Sequence, residues 1–203
     1  MKFNYLKDTI ATEKACADVI ITKGMEGGGH CTKISTRVLL VEVTEHVTSI
    51  PVVASGGIAT LRQAAVCTVL GAEGIEMGTA FMASEECPVH PNVKQAIVKV
   101  ADRDIVVCGI SAGEPSWQIR NKLADRLLQI EAEKPWREAA DIIRKVSADS
   151  LRIASMEVEV EENGAVLGGQ VMGLIHSVKP IKELVVDFCQ EWQEWLKKSY
   201  QLF

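Results

Sequence analysis

Apolar runs that stop abruptly on glycine constrain this chain more than any other feature. Pro51-Val52-Val53-Ala54 runs into Ser55-Gly56-Gly57, and the stretch Gly74-Ile75-Glu76-Met77 runs into Gly78-Thr79. Nearly continuous apolar segments of this length read as strands covered on both faces, as in a parallel sheet. A glycine turn has no side-chain bulk, so backbone N–H groups there can come close to an anion. A helix that follows points its positive end at the same place.

The rest of the chain extends this pattern. Asp8 to Cys16 reads as a helix leading into the strand Ala17 to Thr22, and Lys23 to His30 is a loop. Ser35 to His46 reads as a helix with Val38, Leu39, Val43 and Val47 on one side. The second strand is Ile50 to Ala54. Its helix opens at Thr60 with Gln63 three residues on, a capping-box spacing, and Gly71 closes it. The third strand is Gly74 to Met77, and Asn92 with Gln95 repeats the capping spacing for a helix over 93–100. Three β–α units in succession imply parallel strands with right-handed crossovers. Two glycine turns after neighbouring strands form a paired phosphate grip, the arrangement after the last two strands of many (β/α)8 barrels.

From about Asp104 the pattern changes, which divides the chain into 1–103, a partial β/α barrel, and 104–203, mostly helical. Ile105 to Cys108 is a short extended piece. Ser116 is placed to cap a helix carrying Ile119, Leu123, Leu127 and Ile130. Pro135 breaks that helix, and Trp136 to Val146 forms the next. Residues 158–167 read as an acidic loop around Asn163-Gly164. Gly168 to Ile175 is small and apolar, suited to close helix packing. A last amphipathic helix starts near Pro180, with Ile181, Leu184, Val185, Phe188, Trp192 and Leu196 in one stripe.

Composition removes several classes of function. The chain has 203 residues, 47% of them hydrophobic and 24% charged, which supports a packed core. A net charge of -5 without a basic run argues against nucleic acid or an anionic membrane as partner. No apolar run approaches the roughly 18 residues that would span a bilayer. The start lacks a secretory pattern. Six scattered cysteines with no C-x-x-C pair read as reduced thiols of a cytoplasmic protein. No metal-ligand spacing is visible.

The candidate chemistry sits in three places. The N–H groups of Gly57, Gly78 and Thr79, with Gly56 in the turn and the Thr79 hydroxyl, can hold a phosphate; the alternative is that the glycines only make tight turns. His30 follows Gly27-Gly28-Gly29 after a strand end, where it can act as general acid or base, or stand as a locally bonded surface histidine. Glu26 either orients His30 or faces solvent. Cys31 is adjacent to His30, and neighbours on an extended segment point apart, so a Cys–His dyad is not expected. His90 reads as a helix-entry residue, and Glu157, Glu159, Glu161 and Glu162 as a solvated face.

Met25 to His30, Pro51 to Ile58 and Met77-Gly78-Thr79-Ala80-Phe81 together resemble the nitronate monooxygenase (2-nitropropane dioxygenase) family of FMN barrels. Val107 to Pro115, Arg120-Asn121-Lys122-Leu123 and Gly168 to Ile175 are similar to its flavin-dependent enoyl-acyl-carrier-protein reductase, type II, branch. The resemblance implies an α/β fold, the C-terminal part of a (β/α)8 barrel, with FMN at the mouth of the strands. It implies Gly56, Gly57, Gly78 and Thr79 as FMN-phosphate ligands. His30 would be the catalytic histidine, and Glu26, Gly28 and Gly29 the substrate-side loop. NADH or NADPH would reduce FMN, which reduces an enoyl thioester in one branch; in the other, flavin meets oxygen and a nitronate. Ala80 stands where the family's turn usually carries arginine. Only the last three strands have a counterpart, with Met1 to Thr9 at most a remnant of another. The expected partners are therefore a small-molecule or acyl-thioester substrate and either a chain supplying the other strands or a second copy. The competing expectation is a non-catalytic FMN- or phosphate-binding module.

Overall fold

The strand–helix alternation read from the sequence is present in the computed structural model, which describes residues 2–157 and 159–199. In chain order the elements are β1 (Lys2–Phe3), α1 (Leu6–Lys14), β2 (Ile20–Lys23), β3 (Gly29–His30), α2 (Thr36–His46), β4 (Val52–Ser55), α3 (Leu61–Val69) and β5 (Gly74–Glu76). There follow α4 (Thr79–Met82), α5 (Pro91–Lys99), a 3-10 turn (Asp102–Asp104), β6 (Ile105–Cys108) and β7 (Ser116–Ile119). The last elements are α6 (Lys122–Glu133), α7 (Trp136–Val146), α8 (Ser150–Met156), a second 3-10 turn (Gln170–Leu174) and α9 (Ile181–Ser199).

Strands β1, β2, β4 and β5 form one sheet in that order, and every pairing is parallel. Within the first nine residues the structure has the two-residue strand β1. The register pairs Lys23 with Ser55 and Ser55 with Glu76. That alignment brings the C-terminal ends of three strands, and the turns that follow them, to one edge. Helices α1, α2 and α3 pack beside the sheet, and a core of Ile20, Val52 and Ala54 against Leu39, Leu40, Val43 and Ala64 lies between. Phe188 and Trp192 of α9 pack on the same core. The arrangement is a sector of a β/α barrel.

The local signals explain several element boundaries. Ser35 accepts from the Val38 N–H to cap α2, and Thr60 with Gln63 forms the expected capping box of α3. Gly71, at φ +98°, closes α3. Within α2 the buried face is Leu39, Leu40 and Val43, while Val38 is 53% exposed; Val38 does not belong to the stripe assigned to it. On α9 Val185 is exposed, and the side chain of Leu196 lies outside the described residues. His90 does mark a helix entry: its Nδ1 accepts from the Asn92 N–H and Pro91 opens α5, displacing the cap assigned to Asn92.

The second half departs more. Ser116 caps no helix. Ser116–Ile119 is β7, paired antiparallel with β6 and with β3 in a three-stranded sheet. The helix starts six residues later, because Asn121 Oδ1 accepts from the Ala124 N–H while its Nδ2 donates to the carbonyls of Val160 and Gly164. The acidic loop is not a simple solvated face. Glu159 accepts from the amides of Glu161, Glu162 and Asn163, which holds its carboxyl below the usual range, and Glu157 and Glu162 pair with Arg152 and Lys122. Within Gly168 to Ile175 the 3-10 turn Gln170–Leu174 packs against α4 and α5, in line with its small apolar character, while Gly168 and Gly169 lie close to loop backbone.

A second core lies under α6 and α7, around Leu123, Leu127 and Ile143. A third joins Val93 and Ile97 of α5 to Ala154, Val166 and Met172, so contacts cross position 103. The six cysteines are free thiols; Cys67 and Cys108 are buried and Cys16 and Cys189 exposed. Among the described residues no helix is long and apolar enough to cross a membrane.

Leu39 is fully buried at the centre of the first core. Leu39→Ala should lower the unfolding free energy by about 2–5 kcal/mol in urea titrations, through lost burial and a residual cavity. The exposed Val66→Ala should change it by less than about 0.5 kcal/mol. In the native chain, iodoacetamide should modify Cys16 and Cys189 well before Cys67 and Cys108 when peptides are mapped by mass.

Candidate phosphate-binding site at the mouth of the sheet

Successive glycine turns leave a hollow where side chains would otherwise stand. A cavity of about 270 Å³ lies at the C-terminal ends of β2, β4 and β5. It is lined by Lys23, Gly28, Gly29, Ser55, Gly56, Gly57, Glu76, Gly78 and Thr79, with Gly168 and Gly169 forming another part of its wall. The structure therefore brings together, at one place, the two turns that the sequence separates by about twenty residues.

Each glycine has its own reason. Gly56 (φ +92°) and Gly57 (φ +75°) occupy the left-handed region that side chains disfavour. A Cβ on Gly56 would stand 3.0 Å from the Gly27 nitrogen, and one on Gly57 2.9 Å from Glu26 Cβ. Gly78 differs. Its φ of -92° suits any residue, and a Cβ there would meet nothing within 4 Å. The space that a side chain would occupy is part of the cavity.

Among the described residues, the amides of Gly57, Gly78 and Thr79 have no intramolecular acceptor. Thr79 is buried, and its Oγ1 accepts from the Gly169 N–H at 2.9 Å, which leaves its own proton available to a ligand. The helix after Gly78 is only the single turn α4, so local amides, rather than a long helix dipole, supply the positive field. The backbone therefore fits an anionic group of phosphate size.

Two of the expected residues lie elsewhere. His30 does not line this cavity. Gly29 and His30 are successive residues of β3, so they face opposite sides; His30 stands on the rim of a second cavity. Its side chain is 70% exposed, and Nε2 lies 3.8 Å from Glu114 Oε2. Glu26 neither orients His30 nor faces open solvent: its Oε2 accepts from the Thr36 N–H at 2.8 Å and the Thr36 hydroxyl at 2.7 Å. It thereby fixes the glycine loop to the start of α2. Cys31 is partly buried, which raises its thiol pKa and works against a nucleophilic role.

Sequence reasoning missed Lys23. Its Nζ donates to the carbonyls of Gly28 (3.1 Å) and His30 (2.7 Å), folding the loop back over its own strand end. The available signal was a lysine at the end of a buried strand, directly before a glycine run. Trp117, equally missed, donates from Nε1 to the Met25 carbonyl at 2.7 Å and ties β7 to the same loop. At the start of the stretch expected to pack closely on helices, Gly168 and Gly169 approach Gly28, Thr79 and Met172 so closely that a Cβ at Gly169 would lie 2.7 Å from the Glu26 carbonyl oxygen. Among the described residues, no three His, Cys, Asp or Glu side chains are grouped to hold a metal.

Comparison with known proteins gives a consistent picture. The family model described as nitronate monooxygenase matches residues 6–191. The chain is 32% identical over 158 residues to a Staphylococcus haemolyticus protein named "Probable nitronate monooxygenase", covering 70% of this chain and 44% of that protein. It matches FabK of Thermotoga maritima with a TM-score of 0.90 and 38% identity, over 100% of this chain and 63% of that one. Nitroalkane oxidase of Streptomyces ansochromogenes matches with a TM-score of 0.75 and 25% identity, over 95% and 56%. The chain spans about half the length of the curated relatives it matches.

Gly56→Ala and Gly78→Ala should separate conformational need from ligand space. The first should lower stability by at least about 1 kcal/mol in urea, since it forces a side chain into a left-handed turn against backbone. The second should leave the urea midpoint essentially unchanged.

Proposed function

Since the chain belongs to the nitronate monooxygenase family, we propose that it acts as an FMN-dependent oxidoreductase of the nitronate monooxygenase and enoyl-acyl-carrier-protein reductase group. The observation that carries this reading is the convergence of the Gly56-Gly57 and Gly78-Thr79 turns on one cavity with unpaired amides. The amides of Gly57, Gly78 and Thr79, with the Thr79 hydroxyl, hold the FMN phosphate. Charge-assisted hydrogen bonds contribute about 1.5–3 kcal/mol each, so three suffice to anchor the cofactor tail.

Bound FMN supplies the electron-transfer chemistry, and NADH or NADPH is its reductant. The protein's part is placement. Lys23 and Trp117 hold the loop that carries Gly28, Gly29 and His30. Gly168 and Gly169 form part of the cavity wall. His30, beside Glu114, holds or moves a proton at Nε2 for a substrate lying across Gly29. The substrate is a nitronate or an enoyl thioester.

One observation favours a second reading, in which a partner chain or a second copy completes the barrel. Among the described residues, strands β1 and β5 each pair on one side only. On that reading this chain supplies the phosphate grip, and reduction requires the completed assembly.

Titration of the purified chain into FMN tests both. Flavin fluorescence should be quenched saturably, and Gly78→Ala should weaken binding about tenfold, equivalent to about 1.4 kcal/mol. Anaerobic NADH or NADPH should then bleach the bound flavin. Binding without bleaching supports the second reading, and a folded chain that binds no FMN refutes both.

A further inference from the structure

Between the N-terminal halves of α2 and α3 lies a further cavity, of about 550 Å³. That volume falls within the range of small-molecule sites. Gly56 and Gly57 line both this cavity and the phosphate cavity, but the charged groups of the two are different.

Two arginines line it, Arg37 from α2 and Arg62 from α3. Among the described residues neither guanidinium has a carboxylate or carbonyl partner. The arginines of the cavity behind the β3–β7–β6 sheet are different in this respect. There Arg144 donates to the Ala112 carbonyl and pairs with Asp141, and Arg152 pairs with Asp149 and Glu157. One carboxylate, Glu26, also lines the cavity at α2 and α3, and its Oε2 is already taken by the Thr36 N–H and hydroxyl. Two guanidinium charges against one carboxylate leave the lining net positive, in a chain whose net charge is -5.

Gln63 adds a neutral donor to the same wall. Its Oε1 accepts from the Ala59 and Thr60 N–H groups in the capping box, which holds the side chain in place, while Nε2 has no acceptor among the described residues. The helix starts themselves are occupied: Glu26 takes the Thr36 N–H, Ser35 the Val38 N–H and Gln63 the Thr60 N–H. Side chains, and not helix ends, are therefore the open donors. The rest of the lining is apolar. Val66 and Leu174 are exposed there, and Val171 is buried. Burial, and after it the Glu26 charge, raises the Cys67 thiol, so this residue stays neutral and adds no charge.

We propose that this cavity binds a small organic monocarboxylate, with its head held by Arg37 and Arg62 and its apolar body against Val66, Val171 and Leu174. A guanidinium fork matches a planar carboxylate. A single negative charge balances the lining, whereas a dianion would leave an excess beside Glu26. The inference does not rest on flavin binding, because neither arginine lines the phosphate cavity.

The test is NMR on the full chain without FMN, labelled in its amides and in its valine and leucine methyls. Cyclohexanecarboxylate and cyclohexylmethanol have nearly the same shape, and only the first is charged at neutral pH. The carboxylate should move the Val66 and Leu174 methyl signals saturably. The Gly78 and Thr79 amides, which report on the phosphate cavity, should stay in place. The carboxylate should bind about tenfold more tightly than the alcohol, and Arg37→Gln and Arg62→Gln should each weaken it about threefold, as expected for an exposed ion pair. The double variant should abolish the preference for charge. Both side chains are exposed, so the urea midpoint should not move in any of these variants. Equal binding of the two probes, unmoved Val66 and Leu174 signals, a response confined to Gly78 and Thr79, or a preference that survives loss of both arginines overturns the proposal.

Discussion

Close approach of backbone to backbone at the ends of β2, β4 and β5 is the constraint on which the site depends. A parallel sheet in this register sets Lys23, Ser55 and Glu76 side by side. Whatever follows each strand must then share one small volume. Ordinary side chains would fill it. Glycine at 56, 57 and 78 leaves it open beside the unpaired amides of Gly57, Gly78 and Thr79, and Gly168 and Gly169 allow a distant loop to pack against it. The cavity is therefore a product of missing Cβ atoms, and its chemistry is that of main-chain amides.

The loop 24–30 connects this hollow to the rest of the molecule. Glu26 fixes it to α2, Lys23 folds it over its own strand, Trp117 ties it to β7, and the Glu26 carbonyl receives the Gln170 N–H. Within it, the change from Gly29 to His30 divides space in two. One residue faces the cavity at the glycine turns and the next faces the cavity beneath α6 and α7. Leu167 lines both. Chemistry that used His30 together with a group held by the glycines would occur across this ribbon.

Much of this was legible in the residues, for reasons of range. The β–α units, the Thr60–Gln63 cap and the glycine turns depend on spacings of a few residues, and those are written in the sequence directly. The placement of Gly56, Gly57, Gly78 and Thr79 at one cavity needed only the added assumption of neighbouring parallel strands. What was not legible depends on long-range partners. Ser116 has the chemistry of a cap, but pairing with β6 and β3 outweighs it, and Asn121 takes the role by bonding chain some forty residues away. Glu26 and Lys23 could be recognised as polar groups near a turn, yet their acceptors and donors are fixed by the folded loop alone. The sequence locates His30 in the glycine loop after a strand end, while which side of the ribbon it faces depends on the register with β7.

The central claim concerns where an anion meets the backbone, so amide resonances report on it most directly. In a ¹⁵N-labelled chain titrated with FMN, the N–H signals of Gly57, Gly78 and Thr79 should move together and saturate at one equivalent, with inorganic phosphate moving the same three signals at higher concentration. If FMN leaves these three unmoved while shifting amides elsewhere, the glycine turns are not its phosphate site and the account fails.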